Sequence, residues 1–365
     1  MRHDPTIAAV MAVAATLAVP PSAVADEGDR RISGEIAVEV QNDHVHQTED
    51  GSEANDLYTK IEMLTNLRIG GGLSVRTGLK LEPVQDPLPG RDRAFDDHGL
   101  FAETLQLVYE GENWLIHAGK FTPAFGLDQG LFPGLYGDTF AETYELVERV
   151  GVGAETSWAI QDTASFNLQA AIFKRDTSAL GESLLTTRSR LRESAGGPGN
   201  TSGLESFNAA LDVTGIAAAP GLALRASLLR QARGAGDTDD QWAYSLGGFY
   251  EIDLRDGMVL VPMIDYVHSD DAIGIQSPVS VGGATEHYLT AGLGLASGPW
   301  NGAIAGGLRW DTQPGLPDSE DGFVQVSAGY DFENGIGVQL GWLYLDQADV
   351  SIQAVGAKVS YGLEF

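Results

Sequence analysis

Apolar and polar residues alternate along the chain from residue 32 onward. In the stretch 32–41, Ile32, Gly34, Ile36, Val38 and Val40 share one face, while Ser33, Glu35, Ala37, Glu39 and Gln41 share the other. A period of two marks a β-strand with one apolar face. The stretch 57–69 repeats it, with Leu57, Ile61, Met63, Leu67 and Ile69 opposite Tyr58, Lys60, Glu62, Asn66 and Arg68. In 73–82, Leu73, Val75, Leu79 and Leu81 oppose Ser74, Arg76, Lys80 and Glu82. The same periodicity predicts strands near 100–110, 114–121, 150–160, 164–175, 206–217, 222–233, 242–254, 258–268, 287–296, 300–311, 323–332, 336–346 and 350–365. That makes about sixteen strands.

The connections alternate in length. One set is tight and turn-forming: Gly70-Gly71-Gly72, Gly111-Glu112-Asn113, Gln161-Asp162-Thr163, Arg255-Asp256-Gly257, Gly298-Pro299 and Glu333-Asn334-Gly335, with Ala218-Ala219-Pro220-Gly221 only slightly longer. The other set is mostly long and charged, at 43–56, 83–99, 122–149, 176–205, 234–241, 269–286 and 312–322. Short turns at one end and long loops at the other, joined by an even number of strands, are the layout of a barrel that crosses a bacterial outer membrane. A soluble sandwich also alternates, and three features oppose it. Charges crowd the polar faces, as a wet interior requires. Aromatics (Tyr109, Trp114, Trp158, Trp300, Phe332, Phe365) gather by the short turns, as in an interfacial girdle. The chain stops at Phe365, with Leu363, Tyr361 and Val359 on the same face.

The first 25 residues differ from the rest. Arg2 and His3 precede an apolar run from Ile7 to Val19, then Ala23-Val24-Ala25. This pattern predicts a cleaved secretory signal, the run being too short for a helical anchor, and leaves 26–365 as a single barrel domain. No later segment reaches the roughly 18 apolar residues of a membrane helix. The chain has no cysteine, which excludes thiolate metal sites and thiol nucleophiles. A formal net charge of −29 excludes nucleic acid as a ready partner, because phosphate binding needs Lys and Arg.

The terminal strand, Val-Gly-Ala-Lys-Val-Ser-Tyr-Gly-Leu-Glu-Phe at 355–365, resembles the strand by which Gram-negative outer-membrane barrels are recognised for assembly. Tyr361, Leu363 and Phe365 carry that signal, with the barrel assembly machinery as the implied partner. Across 26–365 the layout is similar to the sixteen-stranded porins, antiparallel transmembrane β-barrels working as homotrimers among outer-membrane lipids. Gly119-Lys120-Phe121, Ala124-Phe125-Gly126-Leu127-Asp128 and Glu148-Arg149-Val150-Gly151 are similar to phosphate-selective porins, although the loops lack that family's Lys and Arg ladder. The resemblance implies a water-filled channel for passive diffusion of small hydrophilic solutes and ions, narrowed by an inward-folded third external loop.

That loop is 122–149. Its aromatics Phe125, Phe132, Tyr136, Phe140 and Tyr144 suit packing on an inner wall, since wholly exposed they would form an unexplained apolar patch. A loop lying over the barrel mouth or a subunit contact is the competing reading. Its acids, Asp128, Asp138, Glu142, Glu145 and Glu148, are the candidate constriction. Lys60, Arg68, Arg76, Lys80 and Lys120 form the candidate basic pore wall. Rings of charge and pore diameter set selectivity in such channels, and the competing reading for each residue is a solvated or locally paired lumen charge.

Catalysis finds little footing. There is no H-E-x-x-H and no G-x-S-x-G motif, and Asp265 and His268 fall on opposite strand faces. No cofactor is implied. The acidic clusters at 237–240, 269–271 and 318–321 supply oxygen donors of the kind Ca²⁺ and Mg²⁺ take, but none has calcium-loop spacing, and solvated charge accounts for them. Outside the channel class, a barrel enzyme or a surface adhesin remains as the alternative.

Overall fold

The computed structural model describes residues 30–48, 51–271 and 281–365, so the apolar N-terminal run lies outside the described residues. Sixteen long strands follow in order: β1 (Ile32–Thr48), β2 (Ala54–Gly70), β3 (Leu73–Pro83), β4 (His98–Glu110), β5 (Trp114–Phe121), β6 (Arg149–Ile160), β7 (Ala164–Arg175) and β8 (Ser206–Thr214). Then come β9 (Leu222–Gln231), β10 (Gln241–Tyr250), β11 (Met258–Asp270), β12 (Thr285–Ser297), β13 (Trp300–Thr312), β14 (Ser319–Asp331), β15 (Ile336–Gln347) and β16 (Val350–Glu364). Each pairs antiparallel with its neighbour in sequence, and β1 also pairs with β16, Ile36 facing Leu363 and Val40 facing Val359. The seam ends on a reciprocal pair: Gly34 N–H donates to the Phe365 carbonyl (3.0 Å) and Phe365 N–H to that of Gly34 (2.9 Å). Pairing of the first strand with the last closes the sheet, the condition for crossing hydrocarbon.

The faces are inverted relative to a soluble protein. Leu107, Ile116, Ile172, Leu246, Ile264, Ile304, Leu340 and Val355 are exposed on the outside, while Asn208, Gln231, Gln241, Thr290 and Gln325 are buried within. A water-soluble sandwich would hide the first set, so the outer surface is built for lipid, as in a membrane-spanning barrel. At the short-turn end, Asp162 (φ 55°) and Asp256 (φ 63°) take the left-handed conformation of tight turns. Beside the turns lie the pairs Tyr109–Trp114, Trp158–Phe166 and Trp300–Tyr330, ring centroids 4.8–5.7 Å apart, forming the aromatic girdle. Tyr361, Leu363 and Phe365 are exposed on the outer face of β16.

At the opposite end the strands run further than their apolar residues. Strand pairing runs on into the expected first loop, 43–56, where Asp43 pairs with Asp56 and Val45 with Ala54. Above the lipid, both strand faces are polar, and alternation of hydrophobicity fades before the hydrogen-bond ladder does. β5 ends early, at Phe121, where the third external loop leaves the wall. The edge of β4 exposed there is taken by Leu184 and Leu185 of the fourth loop, paired with Leu100 and Gly99.

Candidate functional site

The third loop, 122–148, contains a 3₁₀ turn at Gln129–Leu131 and a single-turn helix α1 (Ala141–Tyr144). Its hydrogen bonds reach strands far apart around the barrel. Tyr144 Oη donates to Asp265 Oδ2 of β11 (2.8 Å), and Leu127 N–H to the same oxygen (3.3 Å). Gln325 Nε2 of β14 donates to Pro133 O (2.8 Å), and Tyr136 Oη to Asp43 Oδ1 of β1 (2.5 Å). Those partners point inward, so the loop crosses the barrel interior. Phe132, Phe140, Tyr144 and Leu146 are buried there against inward residues such as Leu229, Val267, Tyr288 and Phe323. Phe140 meets Phe323 edge-on, with centroids 5.0 Å apart.

Glycines of the inner wall make room for this. A Cβ added at Gly247 of β10 would lie 2.7 Å from Leu127, at Gly292 of β12 2.7 Å from Pro133, and at Gly341 of β15 2.9 Å from Leu135. At Gly356 of β16 it would overlap the Tyr136 hydroxyl. Within the loop, Gly126 (φ 71°) adopts a conformation that favours glycine, with the Tyr144 ring against it.

The carboxylates of α1 and its flanks lie toward the basic residues of β2 and β3. Glu142 Oε1 lies 3.9 Å from Lys60 Nζ of β2. Lys80 of β3 is held by Glu62 (2.8 Å) and Glu103 (2.9 Å), Arg76 pairs with Glu110, and Lys358 of β16 pairs with Glu39 (3.2 Å). Arg68 lies near the short-turn end of β2, opposite Ser74. Burial and the neighbouring Glu142 charge push Asp138 up to about 6, with Lys60 opposing. Burial and Glu103 push Glu145 up to about 7, Lys80 opposing, while Gln129 Nε2 donates to Glu145 Oε2 (2.6 Å). Asp128 is drawn instead to Arg225 of β9, 2.7 Å away and also paired with Asp212.

Lys120 and Glu148 lie elsewhere. Lys120 shares the outward face of Ile116, and the fourth loop covers it: its side chain is 1% exposed, with the ammonium 2.9 Å from Asp176 and 3.1 Å from Glu148. The expectation of Lys120 on the pore wall is therefore corrected by strand parity. Arg188 of the fourth loop is 2.6 Å from Glu148 and lies 4.0 Å over the Phe101 ring. The cluster joins both ends of the third loop to the fourth. Charge pairing of this density follows from burial, since an unpaired ammonium there would be costly.

Several contributors were not visible by periodicity. Glu103 belongs to the outward parity of Leu105, but a bulge between Thr104 and Ala102 turns it toward Lys80. The pairing of Tyr136 with Asp43 spans 93 residues and leaves no local signal. Asp265 faces in and His268 faces out, as parity predicts. Among the described residues, no three His, Cys, Asp or Glu side chains gather as a metal site. Of the acidic clusters, Asp237 accepts from Gly234 N–H (2.7 Å), Asp240 pairs with Arg230 (2.6 Å), and Asp321 pairs with Arg309.

No known protein family and no curated protein matches this sequence. Solved structures do match its shape. OmpF of Salmonella typhi, in a complex with daunomycin, aligns over 91% of this chain and 97% of its own, with a TM-score of 0.60 and 12% identity. The outer-membrane channel DcaP of Acinetobacter baumannii aligns over 91% and 96% (0.57, 13%), and the outer-membrane protein opdK of Pseudomonas aeruginosa over 92% and 99% (0.53, 9%). At such identities the likeness is one of fold. The chain has the sixteen-stranded barrel of Gram-negative outer-membrane porins.

Proposed function

We propose that the protein is a porin, conducting small hydrophilic solutes and ions by passive diffusion, with loop 122–148 narrowing the channel and cations preferred. One observation carries the reading: Glu142 faces Lys60 at 3.9 Å, beside Lys80, which Glu62 and Glu103 already hold, and in the company of Asp138 and Glu145. Carboxylates outnumber bases at this level, and a lined pore selects by the sign of its charges. The phosphate-selective alternative is weakened because Lys80, Lys358 and Arg76 each have carboxylate partners. A homotrimer is part of the proposal, as is recognition by the assembly machinery through Tyr361, Leu363 and Phe365.

Planar-bilayer recording in a salt gradient tests it. Stepwise conductance with a cation-directed reversal potential is expected, moving toward anions in Asp138→Asn/Glu142→Gln/Glu145→Gln. A chain that inserts yet never conducts would refute the channel, and an unchanged reversal potential would refute the constriction.

A further inference from the structure

On the outer face of the barrel, near the long-loop end, four rings lie side by side across strands. Tyr244 pairs with His268, His268 with His287, and His287 with Trp310. The centre of this row is polar in an unusual way. His268 Nδ1 and His287 Nδ1 face each other at 3.1 Å, and Tyr266 Oη lies 2.8 Å from His287 Nδ1. His268 Nε2 is 3.1 Å from Asp270 Oδ1. When Asp270 holds the Nε2 proton of neutral His268, its Nδ1 carries a lone pair. His287 then has one hydrogen for two contacts. On Nδ1 it satisfies His268 and turns the Tyr266 hydroxyl hydrogen away from the ring, and on Nε2 its Nδ1 lone pair accepts from Tyr266 while facing the lone pair of His268.

We propose that Nδ1 of His268, Nδ1 of His287 and Oη of Tyr266 bind a divalent first-row transition ion, Cu²⁺ or Zn²⁺, on the lipid-facing rim. Two nitrogens bound at about 2.0–2.1 Å to one such ion sit roughly 3 Å apart, the spacing found here. Imidazole with a phenol oxygen suits Cu²⁺ and Zn²⁺, with Cu²⁺ held more tightly. Asp270 completes the arrangement, since a carboxylate on the far ring nitrogen fixes the tautomer that exposes the binding lone pair. His268 lies two residues from the end of β11, within reach of ions from the outside medium. Trp310 stacks on His287 (5.2 Å, 11° between planes) and supplies a reporter.

The test uses full-length protein in detergent micelles, titrated with CuCl₂ and separately ZnCl₂. One Cu²⁺ per chain is expected, with nitrogen hyperfine structure from two imidazoles in the electron paramagnetic resonance spectrum and quenching lost in Trp310→Phe. His268→Ala/His287→Ala should remove that ion, and Tyr266→Phe should weaken it. Asp270→Asn should weaken it by about 10–100-fold while leaving the rings in place. His44 and His46 on β1, with centroids 6.1 Å apart, are the competing pair. An ion that survives His268→Ala/His287→Ala, or is lost in His44→Ala instead, overturns the proposal, as does absence of stoichiometric binding by folded wild-type protein.

Discussion

The inner wall of the barrel has two unlike regions. Along β10, β12, β15 and β16 the third loop packs closely, and inward positions are occupied by Gly247, Gly292, Gly341 and Gly356, which leave volume for Leu127, Pro133, Leu135 and Tyr136. Along β1 to β4, inward positions carry Glu39, Lys60, Glu62, Arg76, Lys80 and Glu103, side chains that reach into the space the loop leaves. One region gives up side chains to admit a loop, and the other extends them toward it. The loop belongs to both: Phe140 and Tyr144 are buried on one side, and Glu142 faces Lys60 on the other.

The hardest way to break this contrast is to fill the glycine region. Gly341→Leu/Gly356→Val places side chains where Leu135 and Tyr136 now sit, and overpacking of this kind costs about 1–3 kcal/mol at each site. The expected outcome is a displaced loop, a barrel that still folds, and a single-channel conductance above wild type. Unchanged conductance would mean that the loop does not restrict flow. Next in size is the charged region. Lys60→Met/Lys80→Met removes two cations from the wall and should move the reversal potential further toward cations, opposite to the loop triple variant. Shifts of the same sign in both variants would disprove the facing arrangement.

Hydrophobic alternation made the barrel legible, because lipid outside and water inside impose a period of two on nearly every strand. Lys60, Arg68, Arg76 and Lys80 could be assigned to the interior by parity alone. Lys120 could not, because its parity is outward and its burial depends on the fourth loop covering it. Glu103 escaped through a bulge, which resets parity without marking the sequence. Asp128 was legible as a loop acid, but Arg225 lies 97 residues away, and no local pattern pairs them. The glycine seat had a signal that composition hid: glycines at inward parity on strands of one half of the chain, within a total of 46.

Smaller effects refine the same contrast. Asp265 accepts from both Tyr144 and Leu127, so Asp265→Ala strands a buried hydroxyl and amide and should cost about 1–3 kcal/mol for each, seen as a lower unfolding temperature in detergent. Acid should act on the charged side. Asp138 near 6 and Glu145 near 7 stand above their ordinary 3.8 and 4.5, so both gain protons as pH falls from 8 to 5. Cation preference should therefore decline through that window in wild type and not in Asp138→Asn/Glu145→Gln. Because the folded state holds protons that the unfolded chain releases, the same titration favours folding as pH falls through 7 and 6. A wild-type reversal potential constant from pH 8 to 5 would remove these two acids from the conducting path.

The least effect is expected from the pair that gives the site its character. Lys60 and Glu142 are 3.9 Å apart with side chains 40% and 54% exposed, and exposed pairs contribute less than about 1 kcal/mol. A double-mutant cycle with Lys60→Met and Glu142→Gln should accordingly show little coupling in unfolding temperature, whereas each single change moves ion preference in opposite directions. This separation is what a water-exposed site requires: solvent screens the attraction between the two groups, but a passing ion still meets both charges at short range. Coupling of several kcal/mol would instead mean a dry contact between loop and wall, and a closed path at that level.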